Sequence, residues 1–296
     1  MNIVFAINQD YVTHCAVAIQ SILAHNREVA LKFYILIDRI SPKKEQLLQT
    51  FQSDLVSVNI FQIEDGYFKE FRAKEYVTRA TFYRLLIPDL VPDSKALYLD
   101  ADTVVNGPIY ELYNSDLDDF ILAAAEDSLG CYLNWYRFSC PQYFNAGVLL
   151  LNLDECRRRD LTGRSIDYLR NHPGSEDQQA LNAVVGKCWK VIPPKYNLVS
   201  SHLRRMSLYA DELPASLRRE LEEAIEKPVI IHYNGAYKPW LYFSKHPYRH
   251  LYWQYLKMTP FYHPLNTDIL KDNLRLFGYI VHRRFRRWID GIHLHR

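Results

Sequence analysis

The sequence predicts an α/β fold with a mostly parallel sheet, followed by a C-terminal helical extension. Three observations carry that prediction. Short apolar runs alternate with helical stretches from residue 2 onward. The connections between them are short, as in successive βα units. Finally, 48% of the 296 residues are apolar against 24% charged, the proportions of a folded chain with a sizeable core. The same balance excludes disorder, collagen-like repeats and a charge-driven nucleic-acid partner. No stretch reaches the ~18 uninterrupted apolar residues of a membrane span.

The elements follow in order. Asn2–Ile7 is a short apolar run suited to a buried strand, and it breaks at Asn8-Gln9-Asp10. Residues 11–26 read as a helix, with Cys15, Ala18, Ile19, Ile22 and Leu23 on one stripe. Leu31–Ile37 is a second strand. Ser41 and Pro42 open a second helix as N-cap and first helical residue. Residues 55–61 form a third strand. Further strands are expected at 95–99, 120–125, 144–151, 189–192 and 229–232, with helices at 76–86, 154–171 and 177–185. In such sheets ligands gather beyond the carboxyl ends of strands, so the residues just after each strand matter most.

Charge divides by position. Residues 271–296 carry 7 Lys and Arg against 2 Asp, which leaves the other 270 residues with a net charge of −3. The five cysteines are odd in number and lack CxxC spacing, which argues against a disulfide framework or zinc finger and for a reducing compartment. The N-terminal apolar run is too short for a secretory leader and has no basic segment before it. A cytoplasmic protein is expected.

Two stretches carry chemistry. The first is the apolar run 95–99 ending in Asp100-Ala101-Asp102. In extended backbone, that spacing puts both carboxylates on one side, where two hard oxygen ligands suit Mg²⁺ or Mn²⁺. An acidic turn after a strand is the ordinary alternative. The second is His232-Tyr233-Asn234-Gly235, continuing to Lys238-Pro239-Trp240 after another apolar strand. An imidazole there can complete a carboxylate site and shift it towards Mn²⁺, and Lys238 can reach a phosphate. A turn with a buried histidine is the alternative. None of the ten glycines forms Gly-x-Gly and no Walker A lysine is present, so a bound diphosphate would need a cation and basic side chains. Between the two stretches, Asn145, Ala146 and Gly147 open a strand and leave room against the backbone. Asp177 stands where a helix begins, and Arg84 lies on an expected helix.

Taken together, these residues resemble the family 8 retaining glycosyltransferases. That group has the GT-A fold, a Rossmann-like nucleotide-diphospho-sugar transferase architecture. It includes bacterial lipopolysaccharide and lipooligosaccharide galactosyl- and glucosyltransferases and the glycogenins. The likeness runs from Ile3 to Trp240 and rests on four motifs in order: Leu97-Tyr98-Leu99-Asp100 with Asp102, Phe144-Asn145-Ala146-Gly147, Asp177-Gln178, and His232 with Gly235, Lys238, Pro239 and Trp240. The resemblance implies a metal-dependent hexosyltransferase that moves galactose or glucose from a UDP-sugar to an oligosaccharide or lipid-linked glycan acceptor, in cell-envelope polysaccharide or lipopolysaccharide synthesis. It implies Mn²⁺ or Mg²⁺ on Asp100, Asp102 and His232, with Gly235 and Lys238 on the phosphates. Ala6, Asn8 and Tyr11 match the uridine pocket. Arg84, Ala101, Asn145 and Ala146 match the nucleotide-sugar site. Asp177 and Gln178 match the catalytic positions under the sugar, and Asp127 an acceptor-side carboxylate. Asn8 departs from the family, which often has Asp there, and Gln9-Asp10-Tyr11 stands for its frequent Asp-Asn-Tyr run.

The sequence divides as a catalytic domain over 1–250 and a basic, aromatic helical tail over 251–296. Leu270, Leu274, Phe277, Val281, Phe285 and Trp288 recur at spacings of 3 and 4, with Arg275, Arg283, Arg286 and Arg287 opposite. Residues 270–289 therefore suit either an anionic membrane surface, giving a peripheral protein on the inner face of the plasma membrane, or packing on the domain. On the membrane reading, a cut near residue 265 spares UDP binding. The rival to an enzyme is a catalytically silent UDP-sugar or glycan-binding protein.

Overall fold

The computed structural model describes residues 1–64, 68, 70–71, 79–127, 143–235, 238–263 and 266–278. Its centre is a seven-stranded sheet: β1 (Asn2–Ile7), β2 (Leu31–Ile37), β3 (Val56–Gln62), β4 (Lys95–Leu99), β6 (Leu122–Glu126), β7 (Phe144–Asn152) and β8 (Trp189–Val191), in the order β3-β2-β1-β4-β7-β6-β8. β3, β2, β1 and β4 run parallel. β7 lies antiparallel to both β4 and β6, while β8 pairs parallel with β6, so β7 alone runs against the other six strands. A second sheet has three short strands: β5 (Thr103–Val105), β9 (Leu198–Val199) and β10 (Ile230–His232), with β10, expected over 229–232, central and flanked by two strands the sequence did not announce. Strands of two or three residues are too short to show a period.

Helices cover both faces of the large sheet. α1 (Val12–His25) buries Cys15, Ala18, Ile19 and Ile22 against Ile3, Phe5, Phe33 and Ile35. α2 (Pro42–Gln49) starts as read, with the Ser41 hydroxyl accepting from Lys44 N. On the other face a 3₁₀ segment (Arg79–Leu86) packs with α3 (Ile87–Leu90), α5 (Leu153–Arg158), α6 (Leu161–Asn171) and α7 (Asp177–Val185). The single helix expected over 154–171 is two. Asp160 sits between them at φ 49°, a left-handed conformation, and its carboxylate caps Gly163 N. The expected helix over 76–86 is the 3₁₀ segment from Arg79, and residues 76–78 lie outside the described residues.

α4 (Tyr110–Tyr113), α8 (Ser200–Tyr209) and α9 (Ala215–Glu226) fill the chain between strands, and α10 (Arg249–Lys257) follows. α10 spans residue 250, where the sequence places the domain boundary. Its Tyr252, Tyr255 and Leu256 share one buried cluster with Val17, Ile231 and Trp240. Residues 267–278 form a last helix, α11. Among the described residues no helix is long and apolar enough to cross a membrane.

Two features position the site. Successive strands run outward from β1 to β3, and then β4 pairs on the other side of β1. The sheet therefore reverses its order between β1 and β4, and the carboxyl ends of those strands flank a crevice. Moreover, the chain passes from the large sheet into the small one between β4 and β5, through residues 100–102. The register of β10 on β5 sets His232 opposite Thr103.

Candidate functional site

Asp100, Ala101 and Asp102 occupy the turn between β4 and β5, not an extended segment as the spacing alone suggested. The carboxylates still converge because Asp100 N donates to Gly147 O of β7 at 2.8 Å, and Asp102 O accepts from Tyr233 N at 2.9 Å. Each acid is thus tied to a different sheet. His232 enters from β10, with Nε2 at 3.5 Å from Asp100 Oδ2 and 3.3 Å from Asp102 Oδ1. The three residues offer ligand atoms within 4.8 Å of one another. Two hard carboxylates and one imidazole nitrogen suit a divalent ion such as Mn²⁺ or Mg²⁺, the imidazole favouring Mn²⁺.

Gly147 makes this convergence sterically feasible. A Cβ there would fall inside the His232 imidazole and 3.0 Å from Asp100 Oδ2. The space left by Gly147 is thus taken by the histidine, a protein neighbour and not a ligand. Phe144, at the strand's start, is locked by the Asn182 amide, whose Oδ1 accepts from Phe144 N and whose Nδ2 donates to Phe144 O.

A second charged group backs the first. Arg84, expected on a helix, lies in the 3₁₀ segment with its side chain buried. Its guanidinium binds Asp100 at 3.0 Å, Asp177 at 2.9 Å and the carbonyl of Ala146 at 2.7 Å. Tyr98 also donates to Asp100 Oδ1. Asp177 is the first residue of α7, following the Glu176 N-cap, and it accepts from the Thr81 hydroxyl at 2.8 Å. Burial pushes its carboxyl above the ordinary value, against the pull of Arg84 and Thr81. One turn of chemistry lies beside it: Gln178 Oε1 accepts from Ala146 N at 2.9 Å, which leaves the amide NH₂ as the free end.

Lys238 lies on the opposite side. Its ammonium pairs with Asp102 and donates to Tyr233 O at 2.9 Å. Burial works against an ionised Asp102, but Lys238 and His232 outweigh it and hold the carboxyl well below the usual range. Gly235, between His232 and Lys238, has φ +80°, a left-handed conformation that a side chain resists.

At the end of β1, Ala6 is half-buried. Asn8 caps a short 3₁₀ turn (Gln9–Tyr11), its Oδ1 accepting from Tyr11 N at 3.1 Å. The Tyr11 ring stands edge-on to Trp240 at 6.0 Å and to His14 at 5.2 Å. Asp127 is buried just after β6, with its N–H on Tyr143 O at 2.8 Å. Residues 128–142 beyond it lie outside the described residues.

Sequence reasoning missed the supports. Asn197 is fully buried between His232 and Asn145. Asp268 and Asp272 of α11 are turned inward. Asp268 takes the Thr13 hydroxyl at 2.7 Å and Lys44 at 2.8 Å, while Asp272 takes Trp240 Nε1 at 2.7 Å and faces His14 Nε2 at 3.6 Å. Asp10 pairs with Lys271 and Arg275. The only trace of these residues in the sequence is acidic positions within a basic tail.

Comparison with known proteins places this geometry. The profile of glycosyl transferase family 8 matches residues 2–244. General stress protein A of Bacillus subtilis is 27% identical over 274 residues, covering 88% of this chain and 94% of that protein. Glycosyltransferase GlyB of Streptococcus pneumoniae is 32% identical over 262 residues, covering 86% of this chain, which spans only 61% of GlyB. Among solved structures, the galactosyltransferase LgtC in complex with donor and acceptor sugar analogues superposes with a TM-score of 0.80 at 22% identity, covering 89% of this chain and 98% of LgtC. That likeness shows the GT-A fold. With 243 of its 296 residues inside the matched range, the chain belongs to glycosyl transferase family 8.

Proposed function

We propose that this glycosyltransferase is a metal-dependent hexosyltransferase that moves galactose or glucose from a UDP-sugar to a glycan acceptor with retention of anomeric configuration. The observation that carries the reading is the meeting of Asp100, Asp102 and His232 around one point, with Lys238 on one side and Asp177 and Gln178 on the other. Asp100, Asp102 and His232 would hold Mn²⁺ or Mg²⁺, which supplies Lewis-acid stabilisation of a diphosphate leaving group.

The chain's own residues account for the rest. Lys238 and the backbone at Gly235 meet the diphosphate, adding charge where it accumulates as UDP departs. Tyr11, with Ala6 and Asn8, forms the uridine end of the crevice. Arg84 and Ala101 line the passage from diphosphate to sugar, and Asn145 and Ala146 bound the sugar itself. Arg84 holds Asp177 in place to orient sugar hydroxyls. Gln178 is a poor nucleophile, and its oxygen is already engaged by Ala146 N–H. That favours attack by the acceptor hydroxyl on the face that UDP leaves, its proton passing to the departing phosphate as the bond to UDP breaks, with the amide NH₂ near the departing group, over a covalent intermediate. Asp127 borders the acceptor side.

Residues 270–289 would give the enzyme its contact with an anionic membrane and place it on the inner face of the plasma membrane. Support comes from the orientation of α11. Ile269, Asp272 and Asn273 face the domain, whereas Leu270, Leu274 and Phe277 are exposed, Phe277 by 65%. An apolar stripe turned outward beside basic residues suits a lipid interface. Val281, Phe285 and Trp288 lie outside the described residues.

The test is a UDP-sugar hydrolysis panel with Mn²⁺ and with EDTA. UDP-galactose or UDP-glucose should be cleaved with Mn²⁺ and spared with EDTA. Both donors inert with Mn²⁺ present would turn the reading towards a silent UDP-sugar-binding protein.

A further inference from the structure

We propose that Asn197 is a positioning residue that selects the tautomer of His232 and so makes its Nε2 available to a cation. The inference deepens the reading above and rests on it for the cation. The tautomer itself can be measured with no metal present.

A neutral imidazole carries one N–H and one lone pair, and only the lone pair binds a cation. In this site the two carboxylates compete for the wrong form. Asp100 Oδ2 and Asp102 Oδ1 lie 3.5 and 3.3 Å from His232 Nε2, and both would attract an Nε2–H. That tautomer would close the site with a proton. On the other ring nitrogen, Nδ1 is 3.0 Å from Asn197 Oδ1, which can only accept. A proton on Nδ1 satisfies that oxygen and leaves the lone pair on Nε2, between the carboxylates.

The orientation of the Asn197 amide is itself fixed. Its Nδ2 donates to Asn145 Oδ1 at 2.9 Å. The same Asn145 oxygen accepts from Gly147 N at 3.0 Å. A backbone N–H has no alternative sense, so it commits Asn145 Oδ1 to face it. Asn145 Oδ1 in turn commits the Asn197 amide, and Asn197 commits the histidine. The polarity of a main-chain donor on β7 is carried through two amides to the proposed metal ligand. Asn197 is fully buried, so no water competes for the relay, and the missing Cβ of Gly147 keeps the imidazole against it. Partners of this kind typically change metal affinity about 10–100-fold when removed.

The experiment has two arms. The first reads the wild-type protein without metal, by ¹⁵N NMR of histidine-labelled enzyme, with the His232 signals identified by their loss in His232→Gln. Protonated Nδ1 with an Nε2 lone pair is expected, and Nε2–H would overturn the proposal. The second reads Mn²⁺ binding by the electron paramagnetic resonance of free Mn²⁺, with UDP present. Asn197→Leu, of similar size and unable to hydrogen-bond, should weaken Mn²⁺ about 10–100-fold. Asn197→Asp keeps an acceptor for Nδ1–H and should restore affinity to within a few-fold. If Asn197→Leu does not fold, Asn197→Asp and the wild-type tautomer decide. Wild-type affinity in folded Asn197→Leu, or loss in Asn197→Asp as deep as a histidine replacement, would contradict it. Wild-type enzyme that binds no Mn²⁺ would instead sink the cation reading.

Discussion

At the scale of single residues, the site is built from conflicts of charge and volume, and each can be probed alone. Gly147 is required by the imidazole it faces. Gly147→Ala should displace His232 and lower Mn²⁺ affinity by at least about tenfold, with little change in secondary structure by circular dichroism. Unchanged affinity would mean that His232 does not bind there. Lys238 is the next case. A charge-assisted bond to phosphate is worth about 1.5–3 kcal/mol, so Lys238→Met should weaken UDP about 10–100-fold. It also leaves Asp102 buried without its ammonium. In the wild type the lowered Asp102 carboxyl contributes stability that is present above the ordinary carboxylate value and is lost as pH falls through its own lower value. Without Lys238 that carboxyl rises, and the variant escapes its penalty by protonating Asp102. The melting deficit of Lys238→Met should therefore be largest near about pH 7 and shrink towards about pH 4. A deficit that is flat with pH would show that the pair does not set the balance.

At the scale of elements, the C-terminal helix is bonded to the body of the enzyme. Asp268 and Asp272 are received by Thr13, Lys44 and Trp240, residues that flank or support Tyr11. Burial alone would raise Asp272, but His14 and Trp240 outweigh it and hold its carboxyl low. A cut near residue 265 removes both carboxylates and leaves the buried Thr13 hydroxyl and Trp240 Nε1 without these acceptors, while Lys44 keeps Gln9 O. Truncation after residue 265 should lower the melting temperature and weaken UDP binding. Truncation after residue 278 should spare both and weaken binding to anionic liposomes, since it removes Arg283, Arg286 and Arg287. Liposome binding as strong as that of the full chain after the second cut would contradict the membrane proposal.

The whole molecule shows which parts of a fold a sequence can reveal. Long elements with a clear period were legible: β1, β2, β4 and β7 fall within a residue of their expected bounds, and α1 starts one residue later. Of the short strands, β8 and β10 were legible as the apolar runs 189–192 and 229–232, whereas β5 and β9 were not, because pairing across the chain defines them. β5, β9 and β10 nevertheless carry the arrangement that brings His232 to Asp102. The residues of the candidate site were legible as chemistry, since Asp100, Asp102, His232 and Lys238 occur where strands end. Their supports were not. Asn197 is one amide in a loop, and only its burial between Asn145 and His232 gives it meaning. Arg84 was assigned to the nucleotide-sugar site by the resemblance, but only the fold reveals it as the buried cation that joins Asp100 to Asp177.

In the function proposed above, one cation site couples this chain to a uridine diphosphate. Calorimetric titration of UDP into the wild type and into Asp102→Asn, each with Mn²⁺ and with EDTA, tests it most directly. Binding is expected to the wild type with Mn²⁺, and its loss both in EDTA and in the variant. UDP binding that is equal in EDTA, or that survives intact in Asp102→Asn, would contradict it.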